Sequence, residues 1–203
     1  IYTNLGLVYN KIGDYKQAIE NHEKSLHLWL NQFGETHPYV GIGYNNLGAA
    51  YKKIGEIDAA IECFKKCLAN WIISLGERHL RTATCYLNLG IVHTDKSWYS
   101  LAFQYYQKAM VSLLPDYTFA SIYSLPAENQ IVPSKELREV LLSFSNDLLQ
   151  CYVSHSHQEQ DLLSAWYYSL LAVQLIDLMR QSYRTDNSKL ALGDHAKEVY
   201  TNA

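Results

Sequence analysis

Four cysteines and eight histidines are the most reactive side chains in this sequence, and the chemistry open to them is nucleophilic attack or metal ligation. A thiolate nucleophile needs an adjacent base or a lowered pKa, and no local cysteine–histidine motif supplies either. Cys151, His155 and His157 form the one cluster with ligand spacing. Structural zinc takes four ligands and a fourth is not evident, so the cluster reads as a solvated helix end. Walker loops, dinucleotide fingerprints and paired catalytic carboxylates are absent. No catalysis, metal or cofactor is therefore expected. A gentler chemistry recurs instead: Asn4, Asn46 and Asn88 stand 42 residues apart, each directly before a Leu-Gly pair. An asparagine donates and accepts hydrogen bonds at once, which suits a peptide amide whatever side chain it carries.

The asparagines belong to a repeat that must position them. Tyr2-Thr-Asn-Leu-Gly6, Tyr44-Asn-Asn-Leu-Gly48 and Tyr86-Leu-Asn-Leu-Gly90 share one frame. Tyr9, Tyr51 and His93 follow in step, as do Gly13, Gly55 and Ser97, then Ala18, Ala60 and Ala102. A fixed period of this length marks a solenoid, whose units bury their apolar faces only against neighbours. Each unit reads as two helices. Tyr44, Leu47, Gly48, Tyr51 and Ile54 recur at three- and four-residue intervals, and Ile57, Ala60, Ile61, Phe64, Cys67, Leu68 and Trp71 form the face of the next helix. Gly55 and Gly76 end helices, and Pro38 suits a first helical turn. Cys67 takes the place of Ser25 and Ala109, Cys63 that of Asn21 and Tyr105, and Cys85 that of Gly43. In this frame Cys67 is a small core residue, and His37 and His79 repeat because the turn Gly34-Glu-Thr-His-Pro38 recurs as Gly76-Glu-Arg-His-Leu80.

These motifs resemble the tetratricopeptide repeat in its long 42-residue form, as in kinesin light chains and many bacterial proteins. The resemblance covers residues 1–113 and implies an all-α, right-handed superhelix (an α-solenoid of antiparallel helix pairs), with units at 1–43, 44–85 and 86–113. It also implies that the asparagine side lines a concave groove, where such residues bind the backbone of an extended peptide. Asn4, Asn46 and Asn88 then form a ladder. Asn45 and Leu87 lie beside it, Ala49 and Ile91 one turn later, with Lys52 and Lys53 adding positive charge that Asp95 replaces in the third unit. The alternative for the ladder is that each asparagine bonds a neighbouring helix.

From Leu114 to Pro133 the frame is lost, and three of the four prolines lie there among Tyr117, Phe119, Ile122, Tyr123 and Leu125. So apolar a stretch is expected to pack on the array, as a short helix or in the groove. Ser134 is a candidate N-cap; helices are predicted to about Val153 and from about Gln158 to Tyr183. If Leu148 and Tyr152 take the places of Leu47 and Tyr51, residues 134–185 are a fourth, divergent helix pair. A final helix is expected over 186–203. Ile176-Asp-Leu-Met-Arg180 and Tyr183-Arg-Thr-Asp-Asn-Ser-Lys189 resemble the segment before the peptidase domain in bacterial proteins that fuse these repeats to a caspase-like CHAT domain. That resemblance implies a cysteine peptidase outside this chain, not within it.

Hydrophobic residues make up 48% of the 203 positions and charged residues 18%, with net charge −3. There is no basic stripe for nucleic acid, no apolar run long enough to span a membrane and no signal-peptide pattern in these residues. Four cysteines make no disulfide framework at this length, so a reducing, cytoplasmic setting is expected. Ile1 already lies inside a repeat, so the sequence reads as a piece of a longer protein. The expected role is a scaffold for a protein or peptide, as the sensing arm of something larger. A module for self-assembly through the array ends, a cargo adaptor and a concealed Cys/His enzyme remain rival readings.

Overall fold

The fold follows the repeat. A computed structural model describes residues 1–114, 116–118, 123, 126 and 131–185, with the side chains of 177 and 180–185 left aside. Its helices are α1 (Tyr2–Ile12), α2 (Tyr15–Phe33), α3 (Pro38–Lys53), α4 (Ile57–Leu75), α5 (Leu80–Asp95), α6 (Tyr99–Leu113), α7 (Lys135–Cys151) and α8 (Glu159–Thr185). A π-helical turn, Tyr152–Ser156, joins the last two. Among the described residues there is no strand. Nor is there a helix long and apolar enough to cross a membrane. The pairs α1–α2, α3–α4, α5–α6 and α7–α8 pack most extensively, and each pair stacks on the next. The final helix expected over 186–203 lies outside the described residues.

Leu-Gly is the contact that closes each pair. A Cβ built on Gly48 would stand 2.7 Å from the Phe64 ring, and Gly6 and Gly90 lie equally tight under His22 and Tyr106. Helices approach this closely only where a side chain is missing, which is why the glycine recurs. The turns between pairs are also built locally. His37 caps α3, its Nδ1 accepting from the Tyr39 N–H at 3.2 Å, and His79 caps α5 from Arg81 in the same way at 3.1 Å. An imidazole nitrogen thus does the work usually given to Ser or Asp. Asn70 on α4 then ties the turn down, donating Nδ2 to the carbonyls of Glu35 (2.6 Å) and His37 (3.2 Å), while Trp71 Nε1 donates to Pro38 O at 3.3 Å.

Two expectations change in the second half. Ser145, not Leu149, stands where Gly48 and Gly90 stand: it is buried, and its hydroxyl donates to Ala165 O at 2.7 Å. Leu149 is exposed. The frame of the fourth pair is therefore Phe144-Ser145, with Leu148 in the place of Tyr51 rather than of Leu47. The physical reason is that the crossing demands a small residue, and the hydrophobic pattern alone does not distinguish one leucine-rich turn from the next. The described part of 114–133 packs on α8. Tyr117 is buried, Tyr123 OH donates to Asp161 at 2.8 Å, and Tyr167 OH donates to Pro126 O at 3.4 Å. In that position it serves α8 as the short turn at 34–37 serves α4.

The cysteines bring one further difference. Cys67 and Cys85 are both fully buried and joined as a disulfide between α4 and α5, with Cα atoms 6.7 Å apart. Reading each position separately assigns Cys67 to the core but does not reveal this partner.

Candidate functional site

At 100° per residue, the buried arc of α3 holds Val40, Leu47, Gly48 and Ala50. Asn45, Asn46, Ala49, Lys52 and Lys53 fall on the opposite arc. Asn45, Asn46 and Lys52 are half-buried there, and Ala49 and Lys53 are exposed. Side-chain bonds from this arc reach α5, so the first helices of successive pairs line one side of the array. Asn88 Nδ2 donates to Asn45 Oδ1 at 2.9 Å, and Lys52 Nζ stands 3.6 Å from the Asp95 carboxylate. Asn4 is exposed on α1. Of the three frame asparagines, Asn88 is the one with a side-chain hydrogen bond among the described residues. The ladder is thus mixed: its third rung bonds a neighbouring helix, while Asn4 and Asn46 keep their amides for other partners.

Leu87 needs correction as a surface residue. It is 7% exposed and belongs to the core formed with α6, α7 and α8, on which half-buried Ile91 also packs. The cause is α7, which covers this part of α5. In exchange α7 presents Leu142, Asn146 and Leu149, all exposed, along the positions that continue Leu87, Ile91 and Thr94. These three were not singled out from the sequence, because their frame depends on placing Ser145. The face therefore runs from polar and mildly basic, with exposed Lys11 and Lys53, to apolar at α7.

Beside the face lies a buried polar knot. Thr94 Oγ1 donates to Asp147 at 2.6 Å, and Tyr106 OH donates to the same oxygen. Burial pushes the Asp147 carboxyl above its ordinary 3.8, against the pull of those two donors and of Lys52. Burial, reinforced by Asp147, also drives the Tyr106 hydroxyl far up. Neither group is placed for proton transfer, since both are spent holding α7 to α5 and α6. His22 and His93 are buried, and burial holds each imidazole below its ordinary 6.5. His22 Nε2 meets Asn10 Nδ2 at 3.1 Å, and His93 Nδ1 donates to Leu89 O at 2.6 Å.

The remaining cysteines are not activated. Burial raises the Cys63 thiol to about 11 and also lifts that of Cys151. Cys151 is buried while His155 and His157 are exposed, and His155 meets the Tyr99 ring edge-on at 5.0 Å. Among the described residues, no group of three or more His, Cys, Asp or Glu converges as a metal-binding set.

A second repeated feature escaped the sequence reading. Two recesses, of about 360 and 270 Å³, lie at equivalent places in successive units, one lined by Glu35, Tyr44 and Lys66, the other by Glu77, Tyr86 and Lys108. In each the lysine lies over the tyrosine ring, at 5.6 and 5.9 Å. Tyr44 is 200° around α3 from Asn46, so these recesses open away from the asparagine face. The 42-residue recurrence of Glu, Tyr and Lys was the available signal.

Helix pairs of this geometry define an α-solenoid, and the comparisons with known proteins give its family. The family model for the tetratricopeptide repeat matches residues 1–72 and 42–110, more than half of the chain, and the protein belongs to that family. Among solved structures it is similar to BtubC (BKLC) from P. vanneervenii, with a TM-score of 0.67 at 20% identity over 88% of this chain and 63% of that one. A kinesin-light-chain-like protein from Podosopora anserina, with nearly identical TPR-like repeats, gives a TM-score of 0.54 at 14% identity, covering 91% of this chain and 95% of that chain. Its Q17M variant gives 0.52 at 13%, over 94% and 95%. At these identities the likeness is one of fold. No curated protein sequence matches the chain.

Proposed function

We propose that the protein is a binding scaffold whose first-helix face (α1, α3, α5, α7) holds a peptide segment of a partner protein in the concave groove of the solenoid. The observation that supports this reading is the row of amide side chains at one-unit spacing. Asn4 and Asn46 are unengaged there, and the row leads towards exposed Leu142 and Leu149 on α7. The asparagines would bond the backbone of an extended segment, and the leucines would take an apolar side chain at its end. Lys11 and Lys53 suit a partner with an acidic group. Asn45, Ala49, Lys52 and half-buried Ile91 complete the contact surface, while Leu87 supports it from beneath.

The test is selection of displayed peptides against the wild-type chain, followed by binding to Asn4→Ala with Asn46→Ala. Each lost hydrogen bond is worth about 1 kcal/mol, so the double variant should bind selected peptides at least tenfold more weakly. Unchanged affinity would sink the groove reading. Resemblance of 176–189 to the segment preceding CHAT peptidase domains favours a sensing arm within a larger protein; the coding sequence beyond Ala203 decides it by encoding that domain or not.

A further inference from the structure

The recesses beside Tyr44 and Tyr86 hold opposite charges that do not meet. Glu35 and Lys66 line the first, Glu77 and Lys108 the second. Neither acid pairs with its lysine, and these carboxylates and ammonium groups make no hydrogen bond or ion pair with any described residue. Tyr86 is the buried centre of its recess. It is 8% exposed, and its hydroxyl has no hydrogen-bond partner among the described residues yet is not sealed from solvent. Burial, Glu77 and Tyr105 hold this phenol above its ordinary 10, so at neutral pH it is an O–H donor without an acceptor. Lys108 Nζ stands 5.9 Å from the centres of both the Tyr86 and Tyr105 rings, which keeps the ammonium beside that donor. The first unit shows the same arrangement with its acid already engaged. Tyr2 and Lys24 stand 42 residues before Tyr44 and Lys66 and line a recess with Glu23, whose carboxylate accepts from Tyr51 OH at 3.2 Å. In α8, Ala165 accepts the bond from Ser145 and so takes the place of Ala60; the place of Lys66 then falls to buried Leu171, and the row ends.

An anion alone would meet the glutamate, and a cation alone would meet the lysine and the phenol O–H. A ligand that carries both charges close together satisfies every group. We propose that the Glu35–Tyr44–Lys66 and Glu77–Tyr86–Lys108 recesses each bind a free α-amino acid as its zwitterion. The lysine ammonium and the tyrosine O–H receive the carboxylate, and the glutamate receives the α-ammonium. Volumes of about 360 and 270 Å³ suit one small molecule rather than a length of folded chain. Leu30, Val40 and Ile73 line the first recess and Val111 the second, so an apolar side chain on the ligand gains contact as well. Charge-assisted hydrogen bonds are the strong ones, but both charged partners in each recess are exposed, which sets the affinity in the millimolar range. Both recesses open away from the asparagine face, so an amino acid there does not compete with a peptide in the groove.

Titration of the isotope-labelled full chain with L-leucine, followed by its amide chemical shifts, tests the proposal. L-leucine should shift the turns at 34–37 and 76–79. Leucinamide and N-acetyl-leucine each lack one charge and should bind about tenfold more weakly, the loss of one charge-assisted bond. Glu77→Gln should weaken L-leucine about tenfold at the 76–79 turn without weakening N-acetyl-leucine, because the carboxylate holds only the ammonium. Lys108→Gln should weaken L-leucine and N-acetyl-leucine alike and spare leucinamide, and Lys24→Gln should change neither site. Unchanged shifts across α1 in the Glu77 and Lys108 variants report that the fold is kept. The proposal is overturned if millimolar L-leucine moves neither turn, or if its shifts fall on the asparagine face instead. Equal binding of N-acetyl-leucine also overturns it and makes the recesses sites for anions only. None of these failures touches the groove reading, which stands or falls with peptides and with Asn4 and Asn46.

Discussion

The pairs α3–α4 and α7–α8 solve one packing problem in two ways. In the earlier pair a glycine lies under an aromatic ring, Gly48 beneath Phe64, and the preceding turn at 34–37 is pinned by Asn70. In the later pair a serine takes the crossing and bonds across it to Ala165, and Tyr117, Tyr123 and Pro126, described residues of a far longer connection at 114–134, lie against α8. The difference shows what the repeat requires. A small group at the crossing is obligatory, whereas glycine is only the version that needs no hydrogen bond. The connection is free in length provided that it covers the same side of the second helix.

Substitution at the crossing breaks this comparison most sharply. Gly48→Ala should destabilise the chain by about 1–3 kcal/mol, because the Phe64 ring has no room to retreat. Ser145→Ala keeps the volume and loses a buried hydrogen bond, so its cost should be about 0.5–1.5 kcal/mol. Urea unfolding of both variants measures the two values, and a larger cost for Ser145→Ala than for Gly48→Ala would mean that the crossings are not equivalent positions.

A smaller effect of opposite sign is expected at Ser97. It has φ of 61°, in the left-handed region that Gly13 and Gly55 occupy in the other units, at 84° and 83°. A non-glycine residue there costs about 1–2 kcal/mol, and glycine returns roughly half of the gain through the entropy of the unfolded chain. Ser97→Gly should therefore stabilise the third pair by about 0.5–1 kcal/mol, visible as a higher urea midpoint with an unchanged slope.

The mildest contrast is in pH. His22 and His93 have folded-state values below 6.5, so the unfolded chain binds protons more readily. Their contribution to stability is present above 6.5 and is lost as pH falls through the lowered values. Asp147 behaves oppositely, since burial raises its folded-state value. It favours the folded state below 3.8, and that contribution is lost as pH rises through the raised value. Hydrogen exchange between pH 6.5 and 4 should show α1–α2 loosening about His22 and α5 loosening about His93, while the bonds of Asp147 to Thr94 and Tyr106 hold α7 more tightly. His22→Phe should flatten the first trend and Asp147→Asn the last.

What the sequence made legible was whatever is decided within one unit. Leu-Gly pairs, the helix-ending glycines, Pro38 and the Ser134 cap depend on neighbours a few residues away, and Ser134 Oγ does accept from Leu137 N at 3.0 Å. What it concealed lies between units. The Asn88–Asn45 bond, the burial of Leu87 under α7 and the Cys67–Cys85 link each depend on the rotation of one helix against another, which spacing along the chain does not encode. The contacts of Tyr117, Tyr123 and Pro126 were hidden for a different reason: a segment without a second copy has no frame against which to align.

The long connection also sets an order of events. Closing a loop costs free energy that grows with the logarithm of its length, about 0.6 kcal/mol per doubling. Bringing α7 to α6 across 114–134 therefore costs roughly 1.4 kcal/mol more than bringing α3 to α2 across 34–37. That deficit is felt before any contact on α8 offsets it, so the first three pairs can assemble by nearest-neighbour growth while α7 and α8 still wait. As the chain leaves the ribosome, the part that carries the asparagines would then be built first, and the part that carries the leucines would close the surface last.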